Sequence, residues 1–230
     1  MSRYVVTGTN RGIGLEFVRQ LLAQGHDVVA TARDPGTVPA LQDLQQTNSQ
    51  LILLPLDLPD ENSINTFARQ VGATPVDVLI NNAGIYGPRQ ASLGQLKTAD
   101  WEQVMLVDLI APMILTQALM PALRQGNDKR IAFLSSMMGS IADNSSGGSY
   151  LYRSAKAGLN QAVKSLAVDL ARERFVVLPL HPGWVQTDMG GPNALIDTPT
   201  SVRGLLQRIQ TAGVAESGTF LNYDGKTIAW

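Results

Sequence analysis

Tyr152 and Lys156 are two side chains that can act together in proton transfer, and they stand four residues apart. Residues at this spacing lie on one face of a helix. A phenol titrates at about 10 in water, and a neighbouring ammonium lowers that pKa because it stabilises the phenolate. The pair is therefore a candidate proton donor and acceptor for a carbonyl/alcohol couple. A solvated phenol and ammonium on a protein surface would show the same spacing.

Two serines, Ser135 and Ser136, end a predicted strand shortly before this pair. A serine hydroxyl at that position can donate a hydrogen bond to a substrate oxygen. We assign this role to Ser136, sixteen residues before Tyr152. Ser135 competes for the role, and a structural loop serine is the alternative for either residue.

A glycine-rich turn follows the first apolar segment and reads Thr7-Gly-Thr-Asn-Arg-Gly-Ile-Gly14. Gly8, Gly12 and Gly14 would let the backbone turn tightly and approach a pyrophosphate, with free amides and the dipole of the next helix facing the anion. The turn is thus a candidate site for a dinucleotide that supplies hydride. A tight turn without a ligand would explain the same glycines.

The end of the second predicted strand bears on which dinucleotide binds. No Asp or Glu stands there to accept from a ribose 2′-hydroxyl; the strand ends at Arg33, and Arg11 lies inside the glycine turn. Two guanidinium groups suit a 2′-phosphate, which predicts NADP(H) rather than NAD(H). Both arginines could also be ordinary solvated charges, and the adjacent Asp34 could weaken their effect.

Further polar or glycine-rich positions follow the other predicted strands. Asp57 could accept from an adenine amino group or cap a turn. The tetrad Asn81 to Gly84 could bring backbone close to a cofactor ribose, with Asn81 linking neighbouring strand ends, or it could form a plain turn. Pro182 and Gly183 follow a later strand. Because ligands of α/β sheets bind beyond the carboxyl ends of the strands, these positions predict one site.

Short apolar segments alternate with segments of helical period, which predicts a single Rossmann-like domain over residues 1–230. It would be a doubly wound, mostly parallel sheet of about seven strands with helices on both faces. The predicted strands are Arg3–Thr7, His26–Ala32, Gln50–Leu56, Val76–Asn81, Arg130–Ser135, Phe175–His181 and Gly218–Asn222. Helices are predicted after the glycine turn as far as Gly25 and at Val38–Gln46, Ser63–Val71, Trp101–Gln125 and Tyr150–Arg174.

The composition argues against several other classes of protein. With 18 basic and 19 acidic residues and no basic run, nucleic acid is not an expected partner. There is no cysteine, so thiolate metal sites and disulfides are excluded, and no metal site is predicted. We expect a cytoplasmic protein without a membrane span.

Taken in order, these motifs resemble the short-chain dehydrogenase/reductase family. The resemblance rests on the glycine turn, Asp57, Asn81 to Gly84, Ser136, Tyr152 with Lys156, and Pro182-Gly183 with Thr187, and it spans almost the whole chain. Two longer stretches, residues 135–152 and 181–191, and the C-terminal residues 217–230 resemble more narrowly the C-factor and sniffer-type carbonyl reductase branch.

The resemblance implies a role for each matching residue. Tyr152 would be the general acid/base, Lys156 would lower its pKa and hold the nicotinamide ribose, and Ser136 would polarise the carbonyl. Thr187 and the Val185 backbone would contact the carboxamide. The implied cofactor-binding set is Gly8, Asn10, Arg11, Gly12, Ile13, Gly14, Arg33, Asp57, Leu58, Asn81, Ala83, Gly84, Tyr152, Lys156, Pro182, Gly183, Val185 and Thr187. A homodimer or homotetramer is implied as well.

Asp108 departs from the family pattern, since an asparagine is usual at this position, where it holds a water that links to the lysine. A carboxylate can hold that water, but near Lys156 it would partly neutralise the effect of the ammonium on Tyr152. We therefore include Asp108 among the catalytic residues and expect altered turnover or a shifted pH optimum. Residues 189–213 are expected to form a substrate-binding lid.

Two functions remain open at this point. The first is an NADP(H)-dependent oxidoreductase that interconverts a small carbonyl compound and an alcohol by hydride transfer, with Tyr152 as general acid/base. The second is a dinucleotide-binding signalling or regulatory protein with little or no catalysis, since fold alone does not decide function.

Overall fold

A seven-stranded, entirely parallel sheet forms the centre of the protein in the computed structural model, which describes all 230 residues. The strand order is β3-β2-β1-β4-β5-β6-β7. The strands are β1 (Arg3–Val6), β2 (Asp27–Ala32), β3 (Leu51–Pro55), β4 (Val78–Asn81), β5 (Arg130–Leu134), β6 (Val176–His181) and β7 (Leu221–Asn222). The predicted doubly wound α/β fold is confirmed.

The chain forms seven α-helices, and six of them cover the two faces of the sheet. The seven are α1 (Gly12–Ala23), α2 (Pro39–Thr47), α3 (Glu61–Val71), α4 (Thr98–Met105), α5 (Ala111–Gln125), α6 (Tyr150–Asp169) and α7 (Thr198–Thr211). One face packs against α1, α2 and α7, and the other against α3, α5 and α6. Because both faces are covered, consecutive residues of a strand such as Val5 and Val6 are fully buried on opposite sides.

The register brings the strand ends to one edge. In the centre, Val6 of β1 pairs with Ala30 of β2 and with Ile80 of β4. From β1 the chain adds β2 and β3 on one side, and then β4 to β7 on the other side. In open α/β sheets, ligands bind in the crevice at the point where the order of addition reverses, here between β1 and β4. The glycine turn after β1 and the tetrad after β4 therefore stand side by side.

Three predicted elements differ from the structure. The helix predicted at Trp101–Gln125 begins earlier, at Thr98, and is interrupted by a π-helical turn, Leu106–Ile110, between α4 and α5. The helix predicted to reach Arg174 ends at Asp169 and is followed by a 3₁₀ turn, Ala171–Glu173, after which Arg174 has a φ of 62°. The last strand is shorter than predicted, since Gly218 has a φ of 75°.

Helix α7 was not predicted, and it occupies most of the expected lid, residues 189–213. Its buried face consists of Val202, Leu205, Leu206 and Ile209, which recur at the spacing of an amphipathic helix. This face packs against α1 and the sheet. Residues 198–211 are thus part of the core, and the lid prediction continues to apply only to the segment before them.

The helical run Thr98–Gln125 is long and apolar enough to cross a membrane by length and composition. No membrane span was predicted from the sequence. In the fold, its inner side lies against the sheet, where Leu115, Leu119 and Leu123 are buried. Core helices of α/β proteins pass the same test, so this feature is weak evidence for a membrane.

Candidate active site

Tyr152 and Lys156 lie on the inner face of α6, and both side chains are buried. The Lys156 amine is 5.6 Å from the centroid of the Tyr152 ring. Helix α6 begins after Gly147, Gly148 and Ser149, all in left-handed conformations, so the chain reverses sharply before the helix starts. The structure thus brings the phenol and the ammonium to one side of one helix.

Asp108 joins this pair from the π-helical turn between α4 and α5. Its Oδ2 atom lies 3.0 Å from the Lys156 Nζ and forms an ion pair with it. Its Oδ1 accepts a hydrogen bond of 2.7 Å from the Ile85 backbone amide. Lys156 also donates to the Leu134 carbonyl at 3.0 Å. The carboxylate is therefore held close to the ammonium, as was predicted for this departure from the family pattern.

Burial by itself would lower the pKa of Lys156, because it penalises the charged amine. The Asp108 carboxylate and the Tyr152 hydroxyl oppose this effect, and the net result is a raised pKa for Lys156. Lys156 is accordingly held as the ammonium at neutral pH. It can act as a fixed positive charge and as a hydrogen-bond donor.

The pKa of Tyr152 is raised, chiefly by burial. Lys156 lowers it, as predicted, and so does the hydroxyl of Ser136, whereas Asp108 raises it further. The expectation of a net lowered pKa is wrong for this structure, because desolvation of the phenolate outweighs the ammonium. Tyr152 is a protonated phenol at neutral pH and thus a proton donor.

The two serines after β5 have different partners. Ser135 donates a short hydrogen bond of 2.6 Å to Asn160 Oδ1 in the core. Ser136 Oγ accepts from the Met138 backbone amide at 3.2 Å, which leaves its own hydrogen free to donate. The turn that follows is pressed against α6, since a Cβ on Gly139 would lie 2.9 Å from Lys156 atoms. Of the two candidates, only Ser136 keeps a hydroxyl hydrogen that is not used in a hydrogen bond of this kind.

Tyr86 belongs to the site, although the sequence analysis did not single it out. Its ring lies against the Tyr152 ring, with centroids 4.8 Å apart. Its hydroxyl shares a 2.7 Å hydrogen bond with Ser149 Oγ. A lone tyrosine in a loop carries no spacing signal, so only the fold reveals that it covers the candidate general acid.

The glycines of the turn have separate roles. A Cβ on Gly14 would lie 2.1 Å from the Gly8 carbonyl oxygen, and one on Gly8 would lie 2.9 Å from Ala83. These two glycines are required by packing. Gly12 has a φ of 55° and only Thr187 within 4 Å of its Cβ position, so its absent side chain leaves the backbone accessible. Of the three glycines, Gly12 is therefore the one whose backbone a ligand could approach.

Asn82, not Asn81, links the strand ends. Its side-chain amide donates to the carbonyls of Thr7 and Gly8 at 2.8 and 3.1 Å, and its backbone amide donates to Thr7 Oγ1 at 3.0 Å. Asn81 instead donates to Thr116 Oγ1 at 3.2 Å. The predicted role of Asn81 is wrong because its side chain, the last of β4, points into the sheet–helix interface, while the next residue faces β1.

The two arginines near the predicted 2′-phosphate position differ in charge environment. Arg11 forms an ion pair with Asp188, and both side chains are well exposed. Arg33 is exposed and makes no ion pair. Asp57 does not cap the following helix, since Asp60 accepts from the Asn62 amide there. The Asp57 carboxylate makes no hydrogen bond within the chain and is free to accept one.

The segment after β6 closes on itself and lies near the glycine turn. Val185 bridges to Ile196, and Thr187 Oγ1 accepts from the Gly190 amide at 3.1 Å. Pro182 is tied to α7, because its carbonyl accepts from Ser201 at 2.6 Å. Thr187 lies 3.4 Å from the Cβ position of Gly12, so this segment lies next to the glycine turn.

A family model described as short chain dehydrogenase matches residues 3–195. The chain belongs to the short-chain dehydrogenase family. This short-chain dehydrogenase is 47% identical to the C-signal of Myxococcus xanthus over 167 residues, which are 73% of this chain and the whole of that protein.

Solved structures of similar proteins match the fold over its whole length. The carbonyl reductase Sniffer of D. melanogaster is 33% identical, with a TM-score of 0.94 and full coverage of both chains. An NADPH-bound carbonyl reductase from chicken fatty liver is 34% identical, with a TM-score of 0.93, and covers 100% of this chain and 99% of that one. The predicted family is thus confirmed.

Proposed function

We propose that this short-chain dehydrogenase is an NADP(H)-dependent reductase of small carbonyl compounds. The observation that carries the proposal is the buried group of Tyr152, Lys156 and Ser136, at the same edge of the parallel sheet as the glycine turn. The likeness to carbonyl reductases, one of them NADPH-bound, supports the reaction class and the cofactor.

The residues that follow the strand ends fit such a cofactor. The accessible backbone at Gly12 can face a pyrophosphate at the start of α1. The unpaired guanidinium of Arg33 at the end of β2 suits a 2′-phosphate, and the free carboxylate of Asp57 suits the adenine amino group. Lys156 would donate to the nicotinamide ribose. Bound NADPH would supply the hydride equivalent for the carbonyl carbon.

The side chains of the chain would then supply the proton and orient the substrate. Ser136 has a free hydroxyl hydrogen to donate to the carbonyl oxygen. Tyr152 transfers its proton to the same oxygen as negative charge develops there. Lys156 stabilises the phenolate that remains. Since the raised pKa of Tyr152 favours the protonated phenol, the site is suited to carbonyl reduction at neutral pH.

Replacement of Tyr152 by Phe tests the mechanism. We expect Tyr152→Phe to bind NADPH with unchanged affinity, measured by fluorescence titration, and to lose at least about 100-fold in kcat on an aldehyde, since a positioned general acid contributes 10²–10⁴. Tyr4→Phe removes a phenol hydroxyl in β1 that accepts from Gln210 at 3.4 Å, away from Tyr152, and is the matched control that should keep its activity. Undiminished turnover by Tyr152→Phe would remove the mechanism.

A second candidate function is a dinucleotide-binding signalling protein with weak or no catalysis. The 47% identity to a protein named C-signal favours it. A panel of aldehydes, diketones and quinones, followed by NADPH absorbance, separates the two functions. Stoichiometric NADPH binding without turnover of any panel member would favour the signalling role.

We also propose a homodimer or homotetramer in the cytoplasm. An apolar surface on α4 and the π-helical turn supports an interface, since Trp101, Met105, Leu106 and Ile110 line one open cavity there and Ile110 is 46% exposed. Size-exclusion chromatography with light scattering measures the mass of the oligomer. A monomer at micromolar concentration would contradict the proposal.

A further inference from the structure

Arg89 provides a positive charge on the substrate side of the site, in the loop between β4 and α4. Its guanidinium carbon lies 5.8 Å from the centroid of the Tyr86 ring. Tyr86 in turn lies against Tyr152, with ring centroids 4.8 Å apart. The ring of Tyr86 thus lies in contact with both the guanidinium and the candidate general acid.

The charge of Arg89 is not neutralised within the chain. It forms no ion pair, and its one hydrogen bond goes from Nη2 to the Met189 carbonyl at 3.0 Å. The carboxylate next to that acceptor, Asp188, is paired with Arg11 instead. A guanidinium has five N–H donors, so most of those of Arg89 are available to a ligand.

A cavity of about 490 Å³ opens beside this arginine, with both apolar residues, such as Leu93, and polar residues in its lining. Its polar side chains are those of Arg89, Gln90, Ser92, Gln95, Ser149 and Tyr150, and no carboxylate lines it. Ser149 connects the cavity to the site, since its hydroxyl is bonded to Tyr86. The cavity therefore presents hydrogen-bond donors and one positive charge, and an acidic group would be its complement.

We propose that the substrates of this enzyme are carbonyl compounds that carry a carboxylate a few carbon atoms from the carbonyl, and that Arg89 binds this carboxylate. The inference rests on the proposed carbonyl reduction. With the carbonyl at Tyr152 and Ser136, the rest of the substrate lies along the Tyr86 ring and its acidic end reaches the guanidinium. A planar guanidinium binds a carboxylate through two parallel hydrogen bonds, which a neutral chain end cannot accept.

Matched substrates test this assignment. Succinic, glutaric and adipic semialdehydes are compared with butanal, pentanal and hexanal in NADPH-dependent reduction. We expect kcat/KM of the wild type to be roughly tenfold or more higher for the semialdehyde at one chain length at least, mainly through a lower KM, since a charge-assisted contact is worth about that factor.

The ratio of semialdehyde to aldehyde is then measured in variants. This ratio cancels any general effect of loosening the contact with Met189. Arg89→Gln should bring the ratio close to one, whereas Arg89→Lys, which keeps the charge, should retain part of it. Arg69→Gln changes an exposed arginine of α3, bonded to Thr66, and is the charge-matched control that should keep the full ratio.

The outcomes distinguish this inference from the function on which it rests. If the wild type reduces the aldehydes but does not prefer the semialdehydes, or if Arg89→Gln keeps the preference, the assignment of Arg89 is overturned and the reductase stands. If the wild type binds NADPH and reduces neither series, both are overturned.

Discussion

The Lys156 ammonium lies 3.0 Å from a carboxylate oxygen of Asp108, and both side chains are almost entirely buried. Few groups in the chain are so fully removed from water while charged. Such a pair is expensive to desolvate, and removing one partner leaves a buried charge without compensation. Asp108 therefore holds the ammonium beside Tyr152, and at the same time it opposes the lowering of the Tyr152 pKa by that ammonium.

Asp108→Asn should move the pH dependence of catalysis to lower pH. The Asp108 carboxylate raises the pKa of Tyr152, so its removal lowers that pKa. Carbonyl reduction needs the phenol and is lost as pH rises through its pKa, which will occur earlier in the variant. Alcohol oxidation needs the phenolate and will begin at lower pH. Profiles of kcat/KM in both directions measure the shift, with Kd for NADPH as the control for folding. Superimposable profiles of variant and wild type would show that Asp108 does not act on Tyr152.

Much of the fold was predictable because the central strands are buried on both faces. Strand β6 (Val176–His181) is an almost continuously buried segment of this kind, and its bounds were predicted to within one residue. Helix α7 was missed because its apolar residues, such as Val202 and Ile209, follow a glycine-rich stretch that is also typical of a flexible lid. Its burial depends on α1, which is distant in the sequence.

The site was predictable where chemistry depends on local spacing, as for Tyr152 and Lys156 on one helix. It was not predictable where a contact joins distant segments. Asn82 and Asn81 are equivalent in sequence, and only the pairing of β4 with β1 decides which one faces Thr7. The net pKa of Tyr152 depends on how deeply the fold buries the ring, and the spacing of Tyr152 and Lys156 does not predict that depth.

Arg33 is expected to be the main determinant of NADPH preference. Arg33→Gln should raise Kd for NADPH about tenfold and leave Kd for NADH unchanged, since a charge-assisted contact to the 2′-phosphate is lost. Arg11 is already paired with Asp188, but exposed pairs are worth at most about 1 kcal/mol. Asp188→Asn should therefore tighten NADPH binding by no more than about fivefold. Isothermal titration measures both, and an equal loss of NADH affinity in Arg33→Gln would contradict the assignment.

The glycines of the turn should divide into structural and ligand-facing positions. Gly14→Ala forces a methyl to within 2.1 Å of the Gly8 carbonyl oxygen, so we expect a loss of about 3 kcal/mol or more in the free energy of unfolding. Gly12→Ala should cost only about 1–2 kcal/mol, the strain of a left-handed alanine, yet lose NADPH affinity.

Gly25→Ala is the matched control for Gly12→Ala. Gly25 also has a positive φ, 77°, and nothing lies within 4 Å of its Cβ position. It follows the C-terminal end of α1, whereas Gly12 is at the N-terminal end. Urea denaturation and NADPH titration of the three variants give the comparison. If Gly12→Ala binds NADPH as well as Gly25→Ala does, the pyrophosphate does not approach Gly12.

His181 should make the protein less stable in mild acid. Burial lowers its pKa from 6.5 to about 4, and its Nδ1 atom is buried without a hydrogen-bond partner. Because the folded state binds this proton less readily than the unfolded chain, the stabilisation is fully present above pH 6.5 and is lost as pH falls towards 4. The ring keeps some contact with water, so we expect a contribution of about 2 kcal/mol rather than the full conversion of the shift. His181→Gln cannot titrate and should lose correspondingly less free energy of unfolding between neutral pH and pH ~4.5 in urea denaturation, whereas His26→Gln keeps the His181 contribution. If His181→Gln and the wild type lose the same amount, the buried imidazole is not the group that responds to acid.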